Sequence, residues 1–225
     1  MLIIKTLKTK DILYEEIKQK IINSDLEPNV PIVEDNISKE FEVSRTPLRE
    51  ALQRLEIEGW LVKQRNGRLK VSPVSVSEVK EIFQVRSRIE SLVAIEATKK
   101  ATQKDIEELK RITDLIIHAA ESDQRSEVVR FGSEFHNYLY VLSGHQIAMK
   151  ILGQLNDHIN RYRRIGPIKS SDRSKSAANE HKQILEFFVN RDYENCGKSM
   201  ETHINNSLNS AVKSIESYLK MTKGE

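Results

Sequence analysis

The stretch Ser44-Arg45-Thr46-Pro47-Leu48-Arg49-Glu50-Ala51-Leu52-Gln53-Arg54-Leu55 decides how this chain is read. Leu48, Ala51, Leu52 and Leu55 recur at helical spacing as an apolar stripe, while Arg45, Arg49 and Gln53 stand at i, i+4 and i+8 on another face. Pro47 suits the first turn, where its missing donor costs little. Ser44 and Thr46 bring hydroxyls to the helix start, beside backbone N–H groups that lack helical partners and favour an anion. Gly59 predicts the C-terminal stop.

Working outward, Leu13, Ile17 and Ile21 recur at i+4 and predict an earlier helix that Pro28 and Pro31 end in a loop. Ile37 and Phe41 mark a short second helix, closed by the turn around Glu42-Val43-Ser44. After Gly59, Trp60–Gln64 and Arg68–Ser72 are β-capable runs separated by Arg65-Asn66-Gly67, and Asn-Gly there is a hairpin signal. Helix, helix, turn, helix, hairpin is the arrangement of a winged helix-turn-helix, assigned to residues 1–74, with 74–76 as a linker after Pro73. Beyond it only helical periodicity appears. Six helices are expected: Ser77–Lys99 with Ser77 as cap, a second to Ala120 opened by a capping box at Thr102 and Asp105, Gln124–Ser143 stopped by Gly144, Gln146–Ile165 ended by Gly166-Pro167, then Ser174–Asn190 and Asp192–Lys220 after a polar loop at 166–173. The fold class is therefore mainly α, with an antiparallel all-α bundle over residues 75–225.

Composition agrees. The 225 residues suffice for one large domain or two small ones, and 38% hydrophobic with 31% charged residues describes a globular chain rather than a membrane or disordered one. Eight glycines and five prolines favour long helices with few breaks. The one cysteine, Cys196, excludes an intrachain disulfide framework and a multi-cysteine zinc site, and points to the cytoplasm. Met1–Lys5 offers too few apolar residues for a signal-peptide core, and no apolar run approaches the ~18 residues of a membrane span.

A net charge of +3 is too small to diagnose a polyanionic partner, so its distribution has to decide. Residues 1–44 carry six lysines against nine acids, whereas residues 45–70 carry seven basic residues against Glu50, Glu56 and Glu58. The shift begins with the third helix and continues through the hairpin, the two parts of a winged helix that meet double-stranded DNA. Ser44, Arg45, Thr46 and Arg49 on the helix, with Arg65, Gly67 and Arg68 on the hairpin, are the candidate contacts. Arginines at the start of such a helix reach guanine edges in the major groove. The segment from Glu34 to Val62, with Ser44-Arg45-Thr46-Pro47-Leu48-Arg49-Glu50-Ala51-Leu52 at its centre, resembles the GntR family of bacterial transcription regulators. The resemblance implies operator binding as a homodimer, with Arg45 and Arg49 as base readers. Asp35 departs from it, since several relatives carry an operator-touching arginine there, and no DNA contact is assigned to that position.

All six histidines lie after residue 117. His118, His145 and His158 are read as structural or surface residues. His136, His181 and His203 each sit mid-helix among apolar neighbours, and three imidazoles from three helices suit a divalent transition metal, Zn²⁺ or Ni²⁺. Phe135-His136, Glu180-His181-Lys182-Gln183-Ile184-Leu185 and His203 resemble the FCD effector domain of the FadR-type subfamily. That resemblance implies these three histidines as metal ligands, and Arg86, within Arg86-Ser87-Arg88-Ile89-Glu90, as the partner of a small carboxylate effector. An ordinary i,i+4 pairing of Arg86 with Glu90 is the competing reading. Metal-binding members add an aspartate four residues before the first histidine, where this chain has Gly132, and Glu134 lies about 160° away around the helix. A ligand-responsive regulator that is not an enzyme is the reading that follows. Its alternatives are a metal-free regulator sensing an acyl or other apolar ligand, and a three-histidine metallohydrolase, against which stands the lack of an HExxH motif.

Overall fold

The computed structural model describes residues 8–165 and 171–223. In chain order its elements are α1 (Thr9–Ile22), α2 (Glu34–Glu40), α3 (Arg45–Ile57), β1 (Leu61–Lys63), β2 (Leu69–Val71), α4 (Val76–Lys100), α5 (Gln103–Glu121), α6 (Arg125–Ser143), α7 (Gln146–Ile165), α8 (Ser171–Val189) and α9 (Tyr193–Lys223). The described residues form two compact units, one running through Val74 and taking in Asn160–Ile165, the other built from the remainder. That assignment departs from the expected division at 74/75 for Asn160–Ile165, whose Arg161 donates to the Ser72 carbonyl.

In the first unit, the stripes expected on α1 and α3 face each other. Leu13, Tyr14, Ile17 and Ile21 bury against Leu48, Ala51, Leu52 and Leu55, with Ile37 of α2, Trp60, Leu61 and Val71 completing the core. Burying side chains of this size contributes roughly 1.5–3 kcal/mol apiece before entropy is charged. The hairpin pairs Leu61 with Val71 and Lys63 with Leu69. Its loop holds three residues, Arg65-Asn66-Gly67: Gly67 donates to the Gln64 carbonyl at 2.9 Å and takes a left-handed φ of +80°, which a β-carbon would strain. The segment read as a plain loop around Pro31 instead lines the free edge of β2, where Val71 donates to the Val30 carbonyl and Ile32 to the Leu69 carbonyl, both at 2.9 Å.

In the second unit α4 packs along α9 and α6, and α5 along α6 and α8. The long contact of α4 with α9 needs a small residue: a β-carbon at Gly197 would stand 2.7 Å from Ile95 Cγ1 and 2.9 Å from Ser91 Oγ. The cap of α4 is Ser75 rather than the expected Ser77, its Oγ accepting from the Glu78 N–H. The capping box at Thr102 and Asp105 is present in full. α8 begins at Ser171, inside the expected loop, and α9 continues to Lys223; the expected stop at Gly166-Pro167 lies outside the described residues. Among the described residues, no helix is long and apolar enough to cross a membrane.

Candidate metal centre and nucleic-acid interface

Because the leucines of α3 turn inward, its other face must point to solvent. Arg45 and Arg49 each keep 65% of their side chain exposed. Ser44, Thr46 and Gln53 are exposed with them, as are Arg65, Gly67 and Arg68 of the hairpin. Ser44 occupies the cap position of α3 without bonding the helix through its side chain. Asn66 Oδ1 accepts from the Arg68 N–H at 3.0 Å and so fixes the loop that carries these cations. Sequence reasoning singled out Asp35 but missed that it and Glu34 pair with these arginines. Asp35 accepts from Arg45 at 3.0 Å and Glu34 from Arg49 at 2.9 Å, both from the first turn of α2.

In the second unit, α6, α8 and α9 bring His136, His181 and His203 together in the interior, each at most 5% exposed. One nitrogen from each lies within 4.8 Å of the others. The ring hydrogens follow from the partners. His136 Nδ1 faces Glu90 Oε2 at 3.0 Å, His203 Nδ1 faces Glu180 Oε2 at 2.7 Å, and His181 Nδ1 faces the Ala177 carbonyl at 2.7 Å. Ionised carboxylates and carbonyls only accept, so each Nδ1 is the donor and each ring turns its Nε2 to the centre. His136 Nε2 and His203 Nε2 stand 3.2 Å apart, and His181 Nε2 is buried without a partner. Three Nε2 atoms so placed could hold a metal ion between them. A proton is a poor candidate on two of the rings, since burial holds His203 down to about 4 and His181 well below its ordinary value. Two nitrogens at ~2.0–2.1 Å from one ion and roughly 100° apart are separated by about the observed gap.

The surroundings hold this arrangement. Glu90 accepts from Arg86 Nε at 2.9 Å and from the Tyr140 hydroxyl, in addition to His136. Burial pushes the Glu90 carboxyl up, but His136 and Arg86 outweigh it and hold the group at about 2. Glu180 takes two 3.0 Å bonds from Arg173 and one of 2.9 Å from Asn206, besides that from His203. Arg86 thus meets Glu90 as its i,i+4 partner, yet buried and tied to the histidine cluster rather than on a solvated face. Glu90 could be found from its spacing to Arg86; Glu180 adjoins His181 in sequence but serves His203, a role no local pattern reveals. Gly132 faces the cluster, since a β-carbon there would lie 3.5 Å from His181 Cε1. Glu134 points elsewhere, to Arg111 at 3.0 Å. His118 is exposed, and His145 and His158 lie outside the cluster.

The family model for the FCD domain matches residues 81–206, more than half of the chain, and that for bacterial regulatory proteins of the gntR family matches residues 9–71. The HTH-type transcriptional regulator YdhC of Bacillus subtilis is 28% identical, over 85% of this chain and 86% of its own. The Nta operon transcriptional regulator of Aminobacter aminovorans is 25% identical, over 84% and 87%. Among solved structures, Escherichia coli McbR/YncC matches 92% of this chain and 99% of its own with a TM-score of 0.71 at 18% identity. The metal-free FCD domain of TM0439 matches 65% and 100% with a TM-score of 0.55, also at 18% identity. At such identities the solved structures speak for the fold alone.

Proposed function

The chain belongs to the GntR family of bacterial transcriptional regulators, with an FCD domain of the FadR type, and we propose that it binds operator DNA as a homodimer under the control of a small carboxylate metabolite held at a divalent metal. The observation that carries this reading is the inward convergence of three Nε2 atoms, each ring fixed by an acceptor on its Nδ1. That is the outer-shell pattern by which proteins orient metal-ligating histidines. His136, His181 and His203 would hold the ion, Zn²⁺ or Ni²⁺, with Glu90, Glu180 and the Ala177 carbonyl setting their rings. The ion supplies Lewis acidity toward an effector oxygen.

Arg86 is the proposed counter-charge to the effector. Glu90 engages its Nε and Nη2, and a guanidinium carries five N–H donors, so the same side chain can serve a second carboxylate. A purely apolar effector would have to displace these charged groups from their partners, which disfavours the acyl-sensing alternative. In the first unit, Arg45 and Arg49 are the proposed base readers, Ser44 and Thr46 meet phosphate at the start of α3, and Arg65, Gly67 and Arg68 meet the adjacent groove or backbone. The effector acts by differential affinity for two conformations of the regulator.

Elemental analysis of chelator-free protein tests the centre: about one Zn or Ni per chain is expected, and none after replacing the three histidines together. Full retention in that variant would refute the site. Operator fragments selected from genomic DNA then test control, with binding expected to respond to small carboxylates only in the metal-loaded protein.

A further inference from the structure

Each arginine proposed to read bases is held by a carboxylate from another element. Asp35 Oδ1 accepts from Arg45 Nη2 at 3.0 Å and Glu34 Oε2 from Arg49 Nε at 2.9 Å. These pairs do not seat α2, whose buried side chain is Ile37, and exposed ion pairs contribute little to stability. Their consequence is electrostatic. The two acids offset both charges of the arginine stripe on α3, so the stripe offers a phosphate little net attraction. A phosphate that approaches Arg45 or Arg49 also brings its charge beside a carboxylate, and like charges so placed oppose binding. A guanine edge carries no charge and asks for two donors. A guanidinium has five N–H groups and each carboxylate engages one nitrogen, so both arginines can serve a base while still paired.

We propose that Glu34 and Asp35 are positioning residues that set operator specificity, holding Arg49 and Arg45 for base edges and withholding them from phosphates. This rests on the operator reading above and deepens it: α3 discriminates between sequences because its cations are not available to DNA at large. Sequence-independent attraction then falls to the exposed cations of the hairpin, Arg65 and Arg68.

Fluorescence anisotropy on the full chain tests it with two probes: the duplex that wild type enriches from a random-sequence library, and a scrambled duplex of the same length and composition. The variant carries Glu34→Gln and Asp35→Asn together, which removes both charges at unchanged size, and it should melt with wild type. Its affinity for the scrambled duplex should rise roughly tenfold, and the log–log salt slope there should steepen by about 0.9 for each phosphate newly neutralised. Affinity for the enriched duplex should rise much less, so the ratio of the two falls. Glu34→Asp with Asp35→Glu, which keeps both charges, should stay near the wild-type ratio and slope. An unchanged ratio, a ratio that falls only because the enriched duplex binds more weakly, or an equal loss in the charge-keeping variant would each overturn the proposal while leaving the operator reading intact. Failure of wild type to enrich any sequence would overturn both.

Discussion

Arg45 and Arg49 are exposed, yet each already has an acidic partner on α2, and this sets what their removal should do. Exposed ion pairs contribute at most about 1 kcal/mol to stability, so Arg45→Ala or Arg49→Ala should melt close to wild type. At the operator each should cost roughly 1–3 kcal/mol and relax base preference, read by fluorescence anisotropy against single-base operator variants; loss of affinity without loss of preference would reduce these arginines to phosphate contacts. Asp35→Ala works in the opposite direction. It frees Arg45 and removes a negative charge from the face proposed to meet phosphates, so operator affinity should rise; a fall would mean that Asp35 orients Arg45 for reading. The i, i+4 stripe of arginines was legible because helical periodicity alone places it. Asp35 and Glu34 were not, since they lie 10 and 15 residues before their partners and meet them only where α2 crosses α3. The same holds for the histidines: spacing named His136, His181 and His203, but only the packing of α6, α8 and α9 turns their Nε2 atoms together and sends Glu180 to His203.

Among the elements, those whose signal is local came through and those whose signal is shared did not. Thr102 and Asp105 satisfy two orphan donors at the start of α5, within one turn of sequence. Thr102→Ala should therefore cost about 1 kcal/mol in chemical denaturation, and an unchanged midpoint would show that the box is dispensable. Ser75 and Ser77 are both able caps two residues apart, their hydroxyls 2.7 Å from each other, and propensity does not choose between them. The pairing of residues 29–32 with β2 was hidden because Pro28 and Pro31 read as loop residues; Pro31 sits on a sheet edge, the one place in a sheet where a missing donor is harmless. The close approach of α4 and α9 was equally invisible, for Gly197 carries no sign of what faces it. A branched side chain at that point collides with Ile95 and Ser91, so Gly197→Val should destabilise by roughly 1–3 kcal/mol through overpacking, measured as a lowered thermal midpoint.

At the scale of the whole molecule, the buried centre sets stability against ligand response. Without a cation, His181 keeps a buried nitrogen unsatisfied, a condition that costs about 1–3 kcal/mol, while replacement by an apolar residue of similar size removes the orphan, keeps the volume filled against Phe135 and forfeits the bond to the Ala177 carbonyl and the edge-on ring contacts. His181→Leu should accordingly be as stable as the stripped wild type or more so. A bound ion reverses the order. It stabilises by RT ln(1 + [L]/Kd), about 4 kcal/mol when free metal exceeds Kd a thousandfold, and the whole gain depends on the nitrogen that the variant lacks. Thermal melts with and without Ni²⁺ should therefore show a large upward shift in wild type and little or none in His181→Leu, whose stripped midpoint starts level or higher. A stripped variant that melts well below stripped wild type would show His181 to be an ordinary core histidine, and an undiminished nickel shift in it would remove that residue from the centre.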